Sequence, residues 1–219
     1  MLVDLASEIM SLVGLNLSGV TLERFCIYFG LISRWQKAIN LVSRGTLDDF
    51  WRRHIADSLQ IISHITGNKV LDVGSGGGFP GMALAIVGAE DSYHDNGLDK
   101  SLNVTCIDSD RRKAIFLEEV ARETGIKVDI VCSRIEDLDD QFDTITARGF
   151  SDLENLLPIA SRFQAKGIFL KGKNLEKEIK DAEDTFKFKY EIFSSKIDST
   201  GKIIVVDEIS QVNSIKVCD

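Results

Sequence analysis

The chain has 219 residues, 44% of them hydrophobic and 27% charged, with a formal net charge of -8. That length suits one α/β domain with an appendage or two small domains, and the apolar content fills a sizeable core. The acidic balance argues against a general nucleic-acid coat but leaves room for a local basic site, and no apolar run approaches the ~20 residues of a membrane helix.

Residues 1 to about 66 read as helices, without a strand signal. Leu22, Phe25, Phe29, Ile32 and Trp35 recur at helical spacing behind Thr21, a candidate N-cap. Thr46-Leu47-Asp48-Asp49 reads as a capping box opening a helix that carries "FWRRHIADSLQII". Between Leu31 and Gln60, Arg34, Lys37, Arg44, Arg52 and Arg53 outnumber three acidic residues, the kind of local basic site the net charge permits.

From Lys69 the pattern alternates. "KVLDV" reads as a buried strand, followed by a glycine loop and the apolar run "MALAIVGA". "NVTCID" is a second strand, "RRKAIFLEEVARETG" an amphipathic helix, "KVDIVCS" a third strand and "FDTITA" a fourth. "LENLLPIASRF" reads as a helix kinked or broken at Pro158, and "GIFLK" as a fifth strand. A helix over "LEKEIKDAEDTF" and two closing strands, "KYEIFSS" and "KIIVVDE", complete the chain, the last two expected antiparallel. This order predicts a Rossmann-like, doubly wound α/β sheet over residues 67–219 behind a helical cap over 1–66. Ligands on such sheets sit beyond the carboxyl ends of the strands. Gly74, Asp108, Arg134 and Arg148 are therefore expected along one edge. Residues 88–103 read as a solvated polar insertion containing Tyr93 and His94. The four cysteines, at 26, 106, 132 and 218, lack CxxC spacing. Cys106 and Cys132 read as reduced core thiols, with no metal site expected. No signal peptide is visible, so the expected compartment is the cytoplasm.

"LDVGSGGGFPG" (71–81) holds the chemistry. No lysine follows its glycines, which argues against a nucleoside triphosphate. Gly76 to Gly81 match the dinucleotide pattern G-x-G-x-x-G, a weak signal alone. Asp72 ahead of Gly74, Gly76 and Gly78 fits a cationic, phosphate-free donor better, since a carboxylate there repels pyrophosphate and attracts an ammonium or sulfonium. S-adenosylmethionine is such a donor. Glycines at 74, 76 and 78 let backbone pass beneath it. Asp108 ends the second strand, where a carboxylate accepts from ribose hydroxyls; Ile135 is placed to pack on adenine, with Glu136 beside it.

The acceptor is narrowed by what the chain lacks. Position 145–150 reads "ITARGF", not the Asn/Asp-Pro-Pro-aromatic motif that serves exocyclic amines, and no Pro-Cys dipeptide offers a nucleophile for cytosine C5. A ring nitrogen with its own lone pair, such as guanine N7, needs only positioning.

The ordered set "RWQKAINLVS" (34–43), "RRHIADSL" (52–59), "LDVGSGGGFPGMALAIV" (71–87), "IDSDRRKAIFLEEV" (107–120), "SRIEDL" (133–138), "FDTITARGF" (142–150) and "LKG" (170–172) resembles the glucose-inhibited division protein B family of 16S rRNA guanine-N7 methyltransferases. The resemblance implies S-adenosylmethionine as donor and 16S rRNA or the small ribosomal subunit as partner. It implies cofactor contacts at Gly74, Phe79, Ile135, Glu136 and Arg148, joining Asp72, Gly76, Gly78 and Asp108. It places Arg134, Lys171 and Lys202 towards RNA or the reacting base, with Arg134, Arg148 and Lys171 the catalytic candidates. By their own charge, Arg52 and Arg53 read as phosphate contacts for RNA or as a solvated helix face. Lys202 stands where some relatives carry arginine; a lysine there keeps the charge but loses the planar fork. Three other readings remain: a small-molecule methyltransferase, a nicotinamide dehydrogenase, which Asp72 disfavours, and a non-catalytic nucleoside-binding adaptor. His54 reads as structural or catalytic, and the acidic balance makes a monomer the default.

Overall fold

The computed structural model describes residues 11–89 and 101–212. Helix α1 spans Gly19–Trp35 and buries Phe25, Tyr28, Leu31 and Ile32 on one side. Its cap is Ser18, whose side chain accepts the Thr21 amide at 3.2 Å. The expected cap, Thr21, is already inside the first turn, because Ser18 is the last residue with extended backbone.

A 3-10 turn, Arg44–Thr46, follows, and then a π-helical segment, Trp51–Ala56, running into α2, Asp57–Leu59. Thr46 does not cap this helix. Phe50 holds the N-cap position without a side-chain bond, and the Thr46 hydroxyl donates within its own turn to the Ser43 carbonyl at 2.7 Å. π-helical turns are frequent at functional sites, and this one carries Arg53 and His54.

Seven strands form one sheet: β1 Lys69–Val73, β2 Asn103–Ile107, β3 Asp129–Val131, β4 Thr144–Arg148, β5 Lys166–Lys171, β6 Phe186–Ser194 and β7 Lys202–Gln211. Their order is β3-β2-β1-β4-β5-β7-β6. The first five run parallel; β7 lies antiparallel between β5 and β6, as the closing strands were expected to pair. Val70 to Val73 are all buried because helices cover both faces of the central strands. Two core clusters result. One holds α3 (Gly81–Gly88) and α4 (Arg111–Thr124) with Phe25, Tyr28, Ile55 and Leu59 of the helical segment; the other holds α5 (Leu153–Phe163) and α6 (Leu175–Glu183). The helices before β1 therefore share a core with the sheet. Strand order reverses between β1 and β4, the switch point where ligands bind.

Two local expectations change, at Pro158 and Cys132. Pro158 lies inside α5, which continues through it to Phe163, since a proline removes one backbone bond and the rest of the apolar face stays packed. Cys132 lies just past the short β3 and is exposed, while Cys106 is buried. Arg112 at the start of α4 meets an anion: Asp110 caps the helix, accepting the Arg112 amide and pairing its guanidinium at 2.9 Å. Tyr93, His94 and Cys218 lie outside the described residues, as does most of the polar stretch 88–103.

Candidate active site

The glycine loop leaves β1 with Gly74, Gly76 and Gly78 at φ +65°, +58° and +92°, a region that other residues enter only at a cost. Its ends are tied down. Asp72 is fully buried; one carboxylate oxygen accepts the Gly81 amide at 3.0 Å and the other the Thr146 hydroxyl at 3.0 Å. Burial pushes its carboxyl up to about 6, against the hydrogen bonds that Ser75, Gly81 and Thr146 provide. The expected direct contact of Asp72 with a cationic donor thus gives way to a different role. With both oxygens engaged and no exposed surface, it braces the loop.

The glycines divide their work. A Cβ at Gly74 would collide with the Phe150 ring, so the Gly74 backbone faces a cleft. The Gly76 amide donates to Asp108 Oδ2 at 2.9 Å. Gly78 faces away from that cleft: a Cβ there would meet the Tyr28 hydroxyl of α1. Phe79, expected at the cofactor, is likewise buried among aromatic rings, stacked on Tyr28 at 5.2 Å and beside His54 at 4.9 Å. Apolar packing beneath the helical segment takes precedence at these two positions.

A cleft of about 490 Å³ opens at the carboxyl ends of β1 to β4. It is lined by Gly74, Asp108, Arg134, Ile135, Glu136 and Phe150, among others. Asp108 Oδ1 accepts the Asp110 amide at 2.8 Å, and Lys113 Nζ lies 3.7 Å from Oδ2. A carboxylate accepts about four hydrogen bonds, so Asp108 retains capacity towards the cleft. Phe150 is a lining residue that sequence reasoning missed, although it follows Arg148 within the quoted "ARGF".

A second cleft, of about 800 Å³, lies between residues 40–46 and the end of β4. Its walls include Asn40, Ser43, Arg53, His54, Asp57 and Arg148. Gln36 shapes the loop by accepting the Leu41 and Val42 amides at 2.8 and 3.0 Å and donating to the Val42 carbonyl at 2.7 Å. Arg148 therefore faces this second cleft, whereas the next two residues, Gly149 and Phe150, line the first. Its Nη1 donates to the Arg53 carbonyl at 3.0 Å and to Asp57 Oδ2 at 3.1 Å, and its guanidinium lies 4.9 Å from the Phe79 ring centre. Burial raises the Asp57 carboxyl even so, outweighing the attraction of Arg148. Asp57 and Asp198, another wall residue, carried no signal in the sequence beyond their charge.

Lys171 is elsewhere. Its side chain is only 8% exposed, and the ammonium pairs with Glu178 at 2.6 Å and donates to the Ser151 carbonyl at 2.6 Å. Glu178 also accepts the Leu153 amide that opens α5. These contacts hold α5 and α6 to β5, where a catalytic or RNA-facing lysine was expected. Lys202 lies opposite Lys171 on β7 and donates to the Ser194 hydroxyl at 3.2 Å. Arg53 is half exposed, 3.7 Å from Asp198, and Arg134 is exposed at the rim of the first cleft.

The model of one protein family, rRNA small subunit methyltransferase G, also called GidB, matches residues 21–202. The chain belongs to this family. Among similar GidB proteins, that of Rhodospirillum centenum is 40% identical over 201 residues, covering 89% of this chain and 88% of its own. That of Rickettsia felis is 35% identical over 195 residues, covering 87% and 95%. Both are ribosomal RNA small subunit methyltransferases G. The GidB fold extends to more distant structures. A branched-chain polyamine synthase from Thermus thermophilus superposes with a TM-score of 0.52 at 13% identity, covering 82% of this chain and 63% of its own. An MtNAS variant in complex with S-adenosylmethionine gives 0.51 at 13%, covering 86% and 71%.

Proposed function

We propose that this GidB protein transfers the methyl group of S-adenosylmethionine to N7 of one guanine in 16S rRNA. The donor would occupy the cleft beyond β1 to β4, and the guanine the cleft beside Arg148. The observation that carries this arrangement is that three consecutive residues at the end of β4 divide between the two clefts, Arg148 lining one and Gly149 and Phe150 the other. A methyl group passing between them crosses only the end of β4.

The residues present fit the donor. Gly74 offers bare backbone, Asp108 a carboxylate for the ribose hydroxyls, Ile135 an apolar surface for adenine, and Asp108 with Glu136 supply negative charge for a cationic ligand. Bound there, S-adenosylmethionine supplies an electrophilic methyl on its sulfonium. The protein's task is then alignment, because guanine N7 attacks with its own lone pair and needs no proton removed. His54 suits such a site: burial and the nearby Arg148 and Arg53 hold its imidazole down at about 3, neutral at physiological pH.

Arg53 and Arg134, at the rims of the two clefts, would meet phosphates, and Lys202 would extend that surface. In this reading the enzyme acts as a monomer on the small ribosomal subunit in the cytoplasm. The test is to supply methyl-labelled S-adenosylmethionine with small subunits and cleave the RNA with borohydride and aniline, which cuts at 7-methylguanosine. Label at one such site is expected. Label absent from RNA but present in a metabolite mixture would overturn the proposal.

A further inference from the structure

Methyl transfer to N7 uses no proton acceptor, yet His54 is bonded on both ring nitrogens and only 6% exposed. Its Nδ1 lies 3.0 Å from Arg148 Nη2 and its Nε2 2.8 Å from the Thr46 hydroxyl. A guanidinium only donates, so Nδ1 accepts and the proton sits on Nε2, which donates to Thr46. Thr46 donates onward to the Ser43 carbonyl. The result is a one-way chain from Arg148 through His54 and Thr46 to Ser43, joining the end of β4 to the opposite wall of the cleft.

The same chain settles the plane of the guanidinium. Of its five N–H groups, three are given to the Arg53 carbonyl, Asp57 and His54, and Phe79 lies beneath it at 4.9 Å. Two N–H groups remain for a ligand. We propose that His54 is a positioning residue for the acceptor guanine: as a neutral Nε2–H imidazole it fixes the plane of Arg148 and the path of residues 43–46, the two walls between which the base enters. This rests on the assignment of that cleft to the acceptor.

The experiment compares three substitutions by steady-state kinetics on small ribosomal subunits, with donor affinity from calorimetry and folding from thermal melts. His54→Phe keeps the ring's bulk and loses both bonds. His54→Asn places an oxygen near Nδ1 and can still accept from Arg148, whereas His54→Gln reaches towards Thr46 alone. Expected for His54→Phe is a fall in kcat/KM for subunits of tenfold or more, with donor Kd within twofold of the parent. Asn should recover most of that loss and Gln little. Full activity in His54→Phe, or equal recovery by Asn and Gln, would overturn the proposal. So would loss of donor affinity in step with kcat/KM, the mark of a merely structural role. Nitrogen-15 spectra should show the Nε2–H form down to pH 5; titration near 6.5 would also count against it. Asn40→Trp, which fills the cleft without touching the chain of bonds, separates the two assumptions. If it stays fully active the cleft assignment fails; if it is inactive, only the His54 variants decide the positioning role.

Discussion

Asp72 accepts the backbone N–H of Gly81, nine residues further on, at 3.0 Å, and so closes the glycine loop on itself. That bond is made inside the core, where a charged carboxylate is costly.

The cost predicts how stability varies with pH. The Asp72 carboxyl is raised from 3.8 to about 6, so the folded state binds the proton more tightly than the unfolded one. The associated stability is fully present below pH 3.8 and is lost as pH rises through 6. At roughly 1.4 kcal/mol per unit, the penalty above that window is on the order of 3 kcal/mol. An Asn at 72 can accept from Gly81 and donate to Thr146 without carrying charge. Asp72→Asn should therefore gain about 1–3 kcal/mol relative to the parent between pH 4 and pH 8. Urea unfolding at pH 4, 6 and 8 measures this; a constant difference across pH would refute it.

His54 has the opposite sign. Its folded value is lowered from 6.5 to about 3, so its contribution is present above pH 6.5 and is lost as pH falls towards 3. His54→Gln should flatten the acid limb of the stability profile over that range, read by the same unfolding series.

Gly74 and Gly77 should fail in different assays. A methyl at Gly74 forces the exposed Phe150 ring aside and projects into the donor cleft. Gly74→Ala is expected to weaken S-adenosylmethionine at least tenfold by calorimetry. A Cβ at Gly77 would instead lie 2.7 Å from the Leu41 carbonyl oxygen, on the acceptor side. Gly77→Ala should raise KM for subunits more than it changes donor affinity.

Lys171 and Arg53 are separable in the same way. Removing one partner of a buried ion pair costs about 3–5 kcal/mol, so Lys171→Met should lower stability by that order. The dependence of RNA binding on salt should not change. Arg53→Ala should leave stability nearly unaltered and reduce the slope of log K against log salt by about 1. A changed salt slope in Lys171→Met would return that lysine to the RNA surface.

The alternation of strands and helices was legible because hydrophobic period and glycine punctuation are local properties. Parallel pairing of β1 to β5 follows from the crossovers. Asp108, Ile135 and Glu136 fall at the cleft because the ends of parallel strands share one edge. What was not legible is direction. Arg148 and Gly149 are neighbours in sequence but face different clefts, and Lys171 ends β5 yet turns to Glu178. Asp72 and Phe79 stand in the loop that draws attention to a ligand, but both are buried by packing against elements distant in sequence. Thr21 and Thr46 do not cap as expected for a related reason: a hydroxyl chooses among nearby turns, and only the folded backbone decides which.

The packing of α1 against the glycine loop has a thermodynamic consequence. The Tyr28 hydroxyl donates to the Gly77 carbonyl, and the space a Cβ at Gly78 would need is already taken by that same hydroxyl. One face of the loop is thus shared with the helical segment and the other with the donor cleft. A shift of this loop on donor binding would reach the 40–43 wall through Gly77, whose missing Cβ leaves room for the Leu41 carbonyl. Linkage makes such a coupling equal in free energy from either side. The factor by which the donor alters affinity for the acceptor is then the factor by which the acceptor alters affinity for the donor, whichever binds first.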